Sequence, residues 1–121
     1  MVIKNKTGFT LIEVMVVVII IGILASISIP SFNKSMDNAR AKEAHSTLEL
    51  IYNAQKIYKL DKKIYSTSLD GMASYLDNPN NTAEYYTYEV SATGGTSFVA
   101  KADRNGGGAS YTIDQAGTKN W

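Results

Sequence analysis

The segment Lys6–Pro30, KTGFTLIEVMVVVIIIGILASISIP, decides how the rest of the chain is read. Phe9 to Ile29 is about 21 residues, and at ~1.5 Å of rise per helical residue this gives roughly 31 Å, the thickness of a hydrocarbon core. Lys4 and Lys6 lie on its N-terminal side, and the bias of lysine and arginine toward the cytoplasm orients that end inward. Glu13 interrupts the apolar run. A carboxylate costs roughly 2.5–3.5 kcal/mol at the centre of a membrane helix and less near its end. Its stem is too short to snorkel well, so the position calls for a partner. A cut between Gly8 and Phe9 supplies one, because the new α-amino group, with a reference pKa of about 7.7–8.0, is cationic at neutral pH. That amine would stand one turn from Glu13 in the same chain, or reach Glu13 of a neighbour. In the second case the pair is an assembly device. A secretory signal peptide is the competing reading, but this run is longer than a usual h-region, and Leu24–Pro30 (LASISIP) is a poor small-x-small cleavage site.

Length and composition bound the remainder. The chain has 121 residues, one domain's worth, and a net charge of +1. With two lysines in the first eight residues the rest is slightly acidic, which argues against a dedicated nucleic-acid surface. There is no cysteine and one histidine, His45. Thiolate zinc sites, redox pairs, disulfides and a two-histidine metal centre within one chain are thereby excluded.

Gly8, then Phe9-Thr10-Leu11-Ile12-Glu13-Val14 and an apolar helix running to Ile29-Pro30 resemble the start of type IV pilin-like proteins. That class, marked by the prepilin-type N-terminal methylation motif, contains type IV pilins, type II secretion pseudopilins and competence pilins. The resemblance implies a leader peptide over residues 1–8 whose last residue, Gly8, is cut by a membrane-embedded prepilin peptidase. Phe9 would become the N-terminus and be N-methylated, and Glu13 would pair with the N-terminal amine of an adjacent subunit. Residues 9–30 would be the transmembrane and filament-core helix, with Gly22 and Pro30 bounding a stretch that loses helix on assembly. The residues there are consistent with this: glycine is a poor helix former, and proline lacks a backbone donor and crowds the preceding turn.

The same resemblance implies a structural subunit of a type IV pilus. Its partners would be further copies in a helical filament, the peptidase, an inner-membrane assembly platform, and lipid before assembly. The subunit would wait in the inner membrane with a cytoplasmic N-terminus and end in an extracellular filament. Such filaments serve adhesion, twitching motility, DNA uptake or secretion. A type II secretion pseudopilin is the alternative within the family. Outside it stands a monomeric membrane-anchored binding module, in which Glu13 would be replaceable.

Patterning gives the head, residues 31–121, an α+β layout. From Asn33 to about Leu60 Ala44, Leu48, Ile51 and Tyr58 fall at helical spacing, with Leu50, Ala54 and Ile57 on an adjacent stripe. Residues 61–82 read as a loop with one short helical turn, broken at Asn78-Pro79-Asn80-Asn81. Over 83–121 a meander of antiparallel strands is expected at Glu84–Ser91, Ser97–Ala102 and Ser110–Asp114, with turns at Gly94-Gly95 and Asn105–Gly108. Tyr86, Tyr88 and Val90 should face a core. So small a sheet needs a cover, and the long N-terminal helix is the expected one. Many family members tether the C-terminal loop with a disulfide; here the stretch to Trp121 must be held by strand pairing and burial of the indole.

No catalytic residues, cofactor or metal are assigned, and an enzyme is not expected. His45, among Glu43, Ser46 and Glu49, reads as a solvated histidine on a polar helix face. Asp103, Asn105 and Asp114 invite comparison with the calcium loop of some pseudopilins, but their spacing is not that of an EF-hand and turn formation accounts for the asparagine and glycines. The basic run Lys56–Lys63 reads as a solvated helix end favoured by the helix dipole. Phe9, Phe32, Tyr52, Tyr58 and Tyr65 read as packing residues rather than a conduction path.

Overall fold

The computed structural model describes residues 2–121; Met1, the first residue of the expected leader, lies outside them. The element order is α1 (Leu11–Lys62), a 3-10 turn at Asp70–Met72, another at Pro79–Asn81, then β1 (Tyr86–Thr93), β2 (Ser97–Arg104) and β3 (Ser110–Asp114). The chain divides into two compact units, one ending at Asn38 and the other Ala39–Trp121.

In the first unit α1 passes through Gly22 and carries Pro30 inside it. Ser26 Oγ donates to the Ile23 carbonyl at 2.7 Å and Ser28 Oγ to the Leu24 carbonyl at 2.7 Å. Each hydroxyl is thus satisfied within its own helix, as an apolar surrounding requires. No residue from Val2 to Met36 is buried.

The second unit is a three-stranded antiparallel sheet, ordered β1-β2-β3, with the corresponding part of α1 packed on it. From the helix come Ala44, Leu48, Ile51 and Ala54; from the sheet Tyr86, Tyr88, Val90, Phe98, Ala100, Ala102 and Ile113. Ala100 and Ala102 are fully buried on the central strand, opposite Val90 and Tyr88 on one side and Ile113 and Tyr111 on the other. Small residues in the middle flanked by large ones make a trough that admits the helix. The alternation expected for Tyr86, Tyr88 and Val90 is present, since these three are buried while Thr87, Glu89 and Ser91 are exposed.

Several expectations shift. Of the second stripe only Ala54 is buried; Leu50 and Ile57 are more than half exposed. The helix presents one face to the sheet, and the stripe that does so is Ala44, Leu48, Ile51, Gln55 and, half-buried, Tyr58. The first strand begins at Tyr86 rather than Glu84, because Asn105 takes the carbonyls before it: its backbone N–H donates to Tyr85 O at 2.9 Å and its Nδ2 to Glu84 O at 2.9 Å. It continues to Thr93, where Gly94 (φ 60°) and Gly95 (φ 71°) turn the chain. Gly95 has a second reason to be glycine, since an added Cβ would lie 2.9 Å from Ile64 Cγ2. The second strand extends past Ala102 to Arg104.

The C-terminal stretch pairs with β3 as expected. Asp114 N–H donates to Thr118 O at 3.1 Å, Asn120 N–H to Thr112 O at 3.3 Å, and Ile113 bridges Lys119. The indole of Trp121 is not buried, however; 37% of its surface remains exposed, and it packs by one face against the ring of His45.

Candidate functional site

At the start of α1 the structure assigns Glu13 a local partner. Thr10 donates its backbone N–H to Glu13 Oε2 at 2.7 Å and its hydroxyl to the same oxygen at 2.9 Å, while Glu13 N–H donates back to Thr10 Oγ1 at 3.3 Å. This reciprocal arrangement is a capping box, with threonine at the N-cap and glutamate three residues on. Glu13 thus has a hydrogen-bonding partner in its own chain, Thr10, that the sequence reading did not name. The signal was in the sequence as Thr10-x-x-Glu13, read there only as part of a motif. The box uses Oε2, and among the described residues no donor is seen on Oε1. Its carboxylate also stands at the helix N-terminus, where the macrodipole favours an anion.

Around this cap the surface is apolar. Phe9 is 90% exposed and lies beside Ile12, Glu13, Val16 and Val17. Every large apolar side chain from Val14 to Ile29 keeps about half its surface or more open, and α1 is long and apolar enough to cross a membrane. An unbroken apolar surface of that extent marks contact with lipid or with other protein.

A family model described as a prokaryotic N-terminal methylation motif matches residues 3–29. Another, described as type IV minor pilin ComP, DNA uptake sequence receptor, matches residues 30–115. The chain belongs to the type IV pilin-like family. Similar curated proteins include the type IV major pilin protein PilA of Myxococcus xanthus, 41% identical over 99 residues that make up 82% of this chain and 43% of the relative. The type II secretion system core protein G of Vibrio cholerae is 40% identical over 78 residues, 64% of this chain and 53% of that protein. The corresponding protein of Aeromonas hydrophila is 36% identical over 85 residues, 70% and 59%. The chain thus spans about half the length of the curated relatives it matches.

In this pilin-like chain the head is fastened by polar contacts that its sequence did not advertise. Gln55, fully buried in the core stripe, donates through Nε2 to Ser66 O at 2.8 Å and accepts from Ser66 N–H through Oε1 at 2.9 Å. One amide therefore satisfies both backbone groups of a buried loop residue, as a strand neighbour would. Asn80 does the same on the outer edge of β1, donating to Tyr88 O at 2.8 Å and accepting from Tyr88 N–H at 2.7 Å. A glutamine at a core-stripe position, four residues after Ile51, was the available clue to the first clamp.

His45 is not the solvated residue expected. Its ring stacks on Trp121 at 4.5 Å and meets Tyr111 edge-on at 4.3 Å, and its Nε2 is buried without a hydrogen-bond partner. Burial pushes its pKa below the usual 6.5; Glu49 opposes that shift and Lys119 adds to it. Lys119 in turn forms an ion pair with Glu49. Strand pairing, aromatic stacking and one charge pair therefore hold the C-terminal segment.

Asp103, Asn105 and Asp114 do not converge. Asp103 pairs with Lys101 at 2.8 Å and accepts from Ser110, contacts that lower its pKa. Asn105 accepts from the Thr87 hydroxyl at 2.7 Å, and Asp114 Oδ1 accepts from the N–H groups of Ala116 and Thr118, each at 2.9 Å. Asp103 thus works between β2 and β3, and Asn105 and Asp114 work in turns. Among the described residues no group of three or more His, Asp or Glu side chains gathers as a metal site would require. Of the five aromatics, Tyr52, Tyr58 and Tyr65 belong to the head core, while Phe9 and Phe32 are exposed on the first unit.

Proposed function

We propose that this chain is a structural subunit of a type IV pilus, built through its N-terminal helix, with no catalytic role. The observation that carries the reading is the first unit itself: a capped helix with an acid at Glu13 and no buried residue over its apolar length. Such a helix is stable only where lipid or other copies cover it.

In this reading prepilin peptidase cuts after Gly8, Phe9 becomes the methylated N-terminus, and residues 9–30 pass from the inner membrane into the filament core. The head, residues 31–121, stays on the extracytoplasmic side, and an inner-membrane platform drives extraction. The amine of Phe9 on an incoming subunit takes Oε1 of Glu13, the oxygen that the Thr10 cap leaves open. Gly22 and Pro30 are where the helix yields, since each lowers the local cost of losing it.

The test is Glu13→Ala together with N-terminal sequencing of the mature protein. The variant should insert in the membrane and give no filaments, and the wild-type sequence should begin at Phe9. Normal filaments from the variant would refute the pairing. A second reading, the pseudopilin of a type II secretion system, is favoured by the likeness to core protein G in Vibrio cholerae and Aeromonas hydrophila. Deleting the chain would then stop protein secretion while leaving surface pili intact.

A further inference from the structure

The C-terminal end of α1 carries a basic groove that the filament reading does not yet use. Lys56 and Lys59, three residues apart, share one side of the helix end, and Lys63 follows just past its last residue, where the chain turns at φ 67°. With Leu60 and Tyr65 they line an open groove. Lys59 Nζ sits 4.3 Å over the ring of Tyr65 and Lys56 Nζ 4.7 Å over that of Tyr52. Among the described residues none of the three has a carboxylate within 4.0 Å, and nearby Asp61 is engaged by Lys62 and Tyr75.

The same head has a second groove, of opposite sign, along the outer edge of β1. Ser68, Asp70, Asn78, Asn80, Glu89 and Val90 are among its lining residues. Asp70 accepts from Asn78 Nδ2 at 2.7 Å, a neutral donor. Glu89 faces Lys101 across the strands, but Lys101 is held by Asp103 at 2.8 Å. β1 is an edge strand, and Asn80 occupies it only at Tyr88.

We propose that these two grooves are the halves of one contact between copies of this chain: the lysines of one head receive the Asp70/Glu89 edge of the next. The inference rests on the filament reading and names the head surfaces that subunits use. A filament needs a heterologous contact, two different patches that match each other and repeat without closing. Charge complementarity of this kind sets register and speeds docking more than it supplies affinity, which the apolar helix provides. A free polyanion also suits three lysines beside a tyrosine. The acidic edge decides between them, because polyanion capture gives it no role and repels the ligand.

The experiment uses the full-length chain expressed in cells with its own assembly system, counting filaments by electron microscopy and subunits in the sheared fraction. Lys56→Glu/Lys59→Glu/Lys63→Glu and, separately, Asp70→Lys/Glu89→Lys should each lower filament yield by about tenfold, and the two sets together should restore most of it. Wild-type yield from the lysine set overturns the proposal, as does a combined variant no better than either set alone. Wild-type yield with lost retention on heparin or duplex DNA assigns the groove to a polyanion instead. Near-UV circular dichroism checks each head; if the reversal misfolds, Lys56→Gln/Lys59→Gln/Lys63→Gln replaces it, with an expected loss of about threefold and the same overturning results. Absence of filaments from cells making the wild-type chain would sink the filament reading itself, whereas wild-type filaments alongside normal assembly of the lysine variants sink only this contact.

Discussion

Residues Leu11–Met36 and the unit Ala39–Trp121 are both rich in apolar side chains, yet all fourteen buried ones lie in the second. Among the described residues of the first unit, the Thr10–Glu13 cap and the hydroxyls of Ser26, Ser28 and Ser35, returning to carbonyls three or four residues back, are local hydrogen bonds. In the second, side chains such as Gln55, Asn80 and Asn105 bridge segments eight to 21 residues apart. One region carries its structure in the backbone period and leaves its surface for an outside partner. The other is finished only by contacts within itself.

Truncating a core residue should separate the two most clearly. Phe98→Ala, at a side chain 1% exposed and packed on Tyr65 and Tyr52, should destabilise the head by about 3–5 kcal/mol. Val17→Ala, more than half exposed, should leave the head's melting temperature unchanged. Thermal melts of the full chain in detergent, followed by near-UV circular dichroism, measure both. Equal effects would erase the distinction.

Gln55→Ala should come next, costing about 1–3 kcal/mol, because it strands the buried N–H and C=O of Ser66. Gln55→Leu restores volume but not hydrogen bonds and should recover little of the loss. Full recovery would mean that Gln55 matters as filler.

A smaller effect should appear with pH. The unfolded chain binds a proton on His45 near the ordinary 6.5, while the folded head resists until a lower pH. Between those values the unfolded state holds more protons, so stability is fully present above 6.5 and declines as pH falls toward the folded value. His45→Phe should flatten that part of the urea-denaturation profile. An unchanged slope would show that the stack on Trp121 does not govern the titration.

Smallest of all should be Thr10→Val, which removes the hydroxyl of the helix cap. It should cost the first helical turn about 1 kcal/mol, visible as faster amide exchange over Leu11–Val14, and leave the head unaltered. A drop in head stability would show that the cap acts beyond the first helical turn.

Much of the fold was legible in the residues. A two-residue alternation over Tyr86–Val90 and the helical stripe at Ala44, Leu48 and Ile51 are local patterns, so they survived into the structure. Leu50 and Ile57 misled because a periodic stripe tells that a face is apolar, not which face meets the sheet. The capping box is legible as Thr10-x-x-Glu13, since it spans only one helical turn. His45 was not legible, since its neighbours Tyr111, Lys119 and Trp121 are more than sixty residues away in sequence.

By itself the sequence determined the long helix, the meander and the apolar surface from Phe9 to Ile29, because each depends on period and composition over neighbouring residues. Only the tertiary structure decided which polar side chains are spent inside the head. Gln55 on the buried Ser66, Asn80 on the outer edge at Tyr88 and His45 stacked under Trp121 are chosen by distance in space: the fold brings partners to the backbone of Ser66 and Tyr88, while among the described residues it brings none to His45 Nε2.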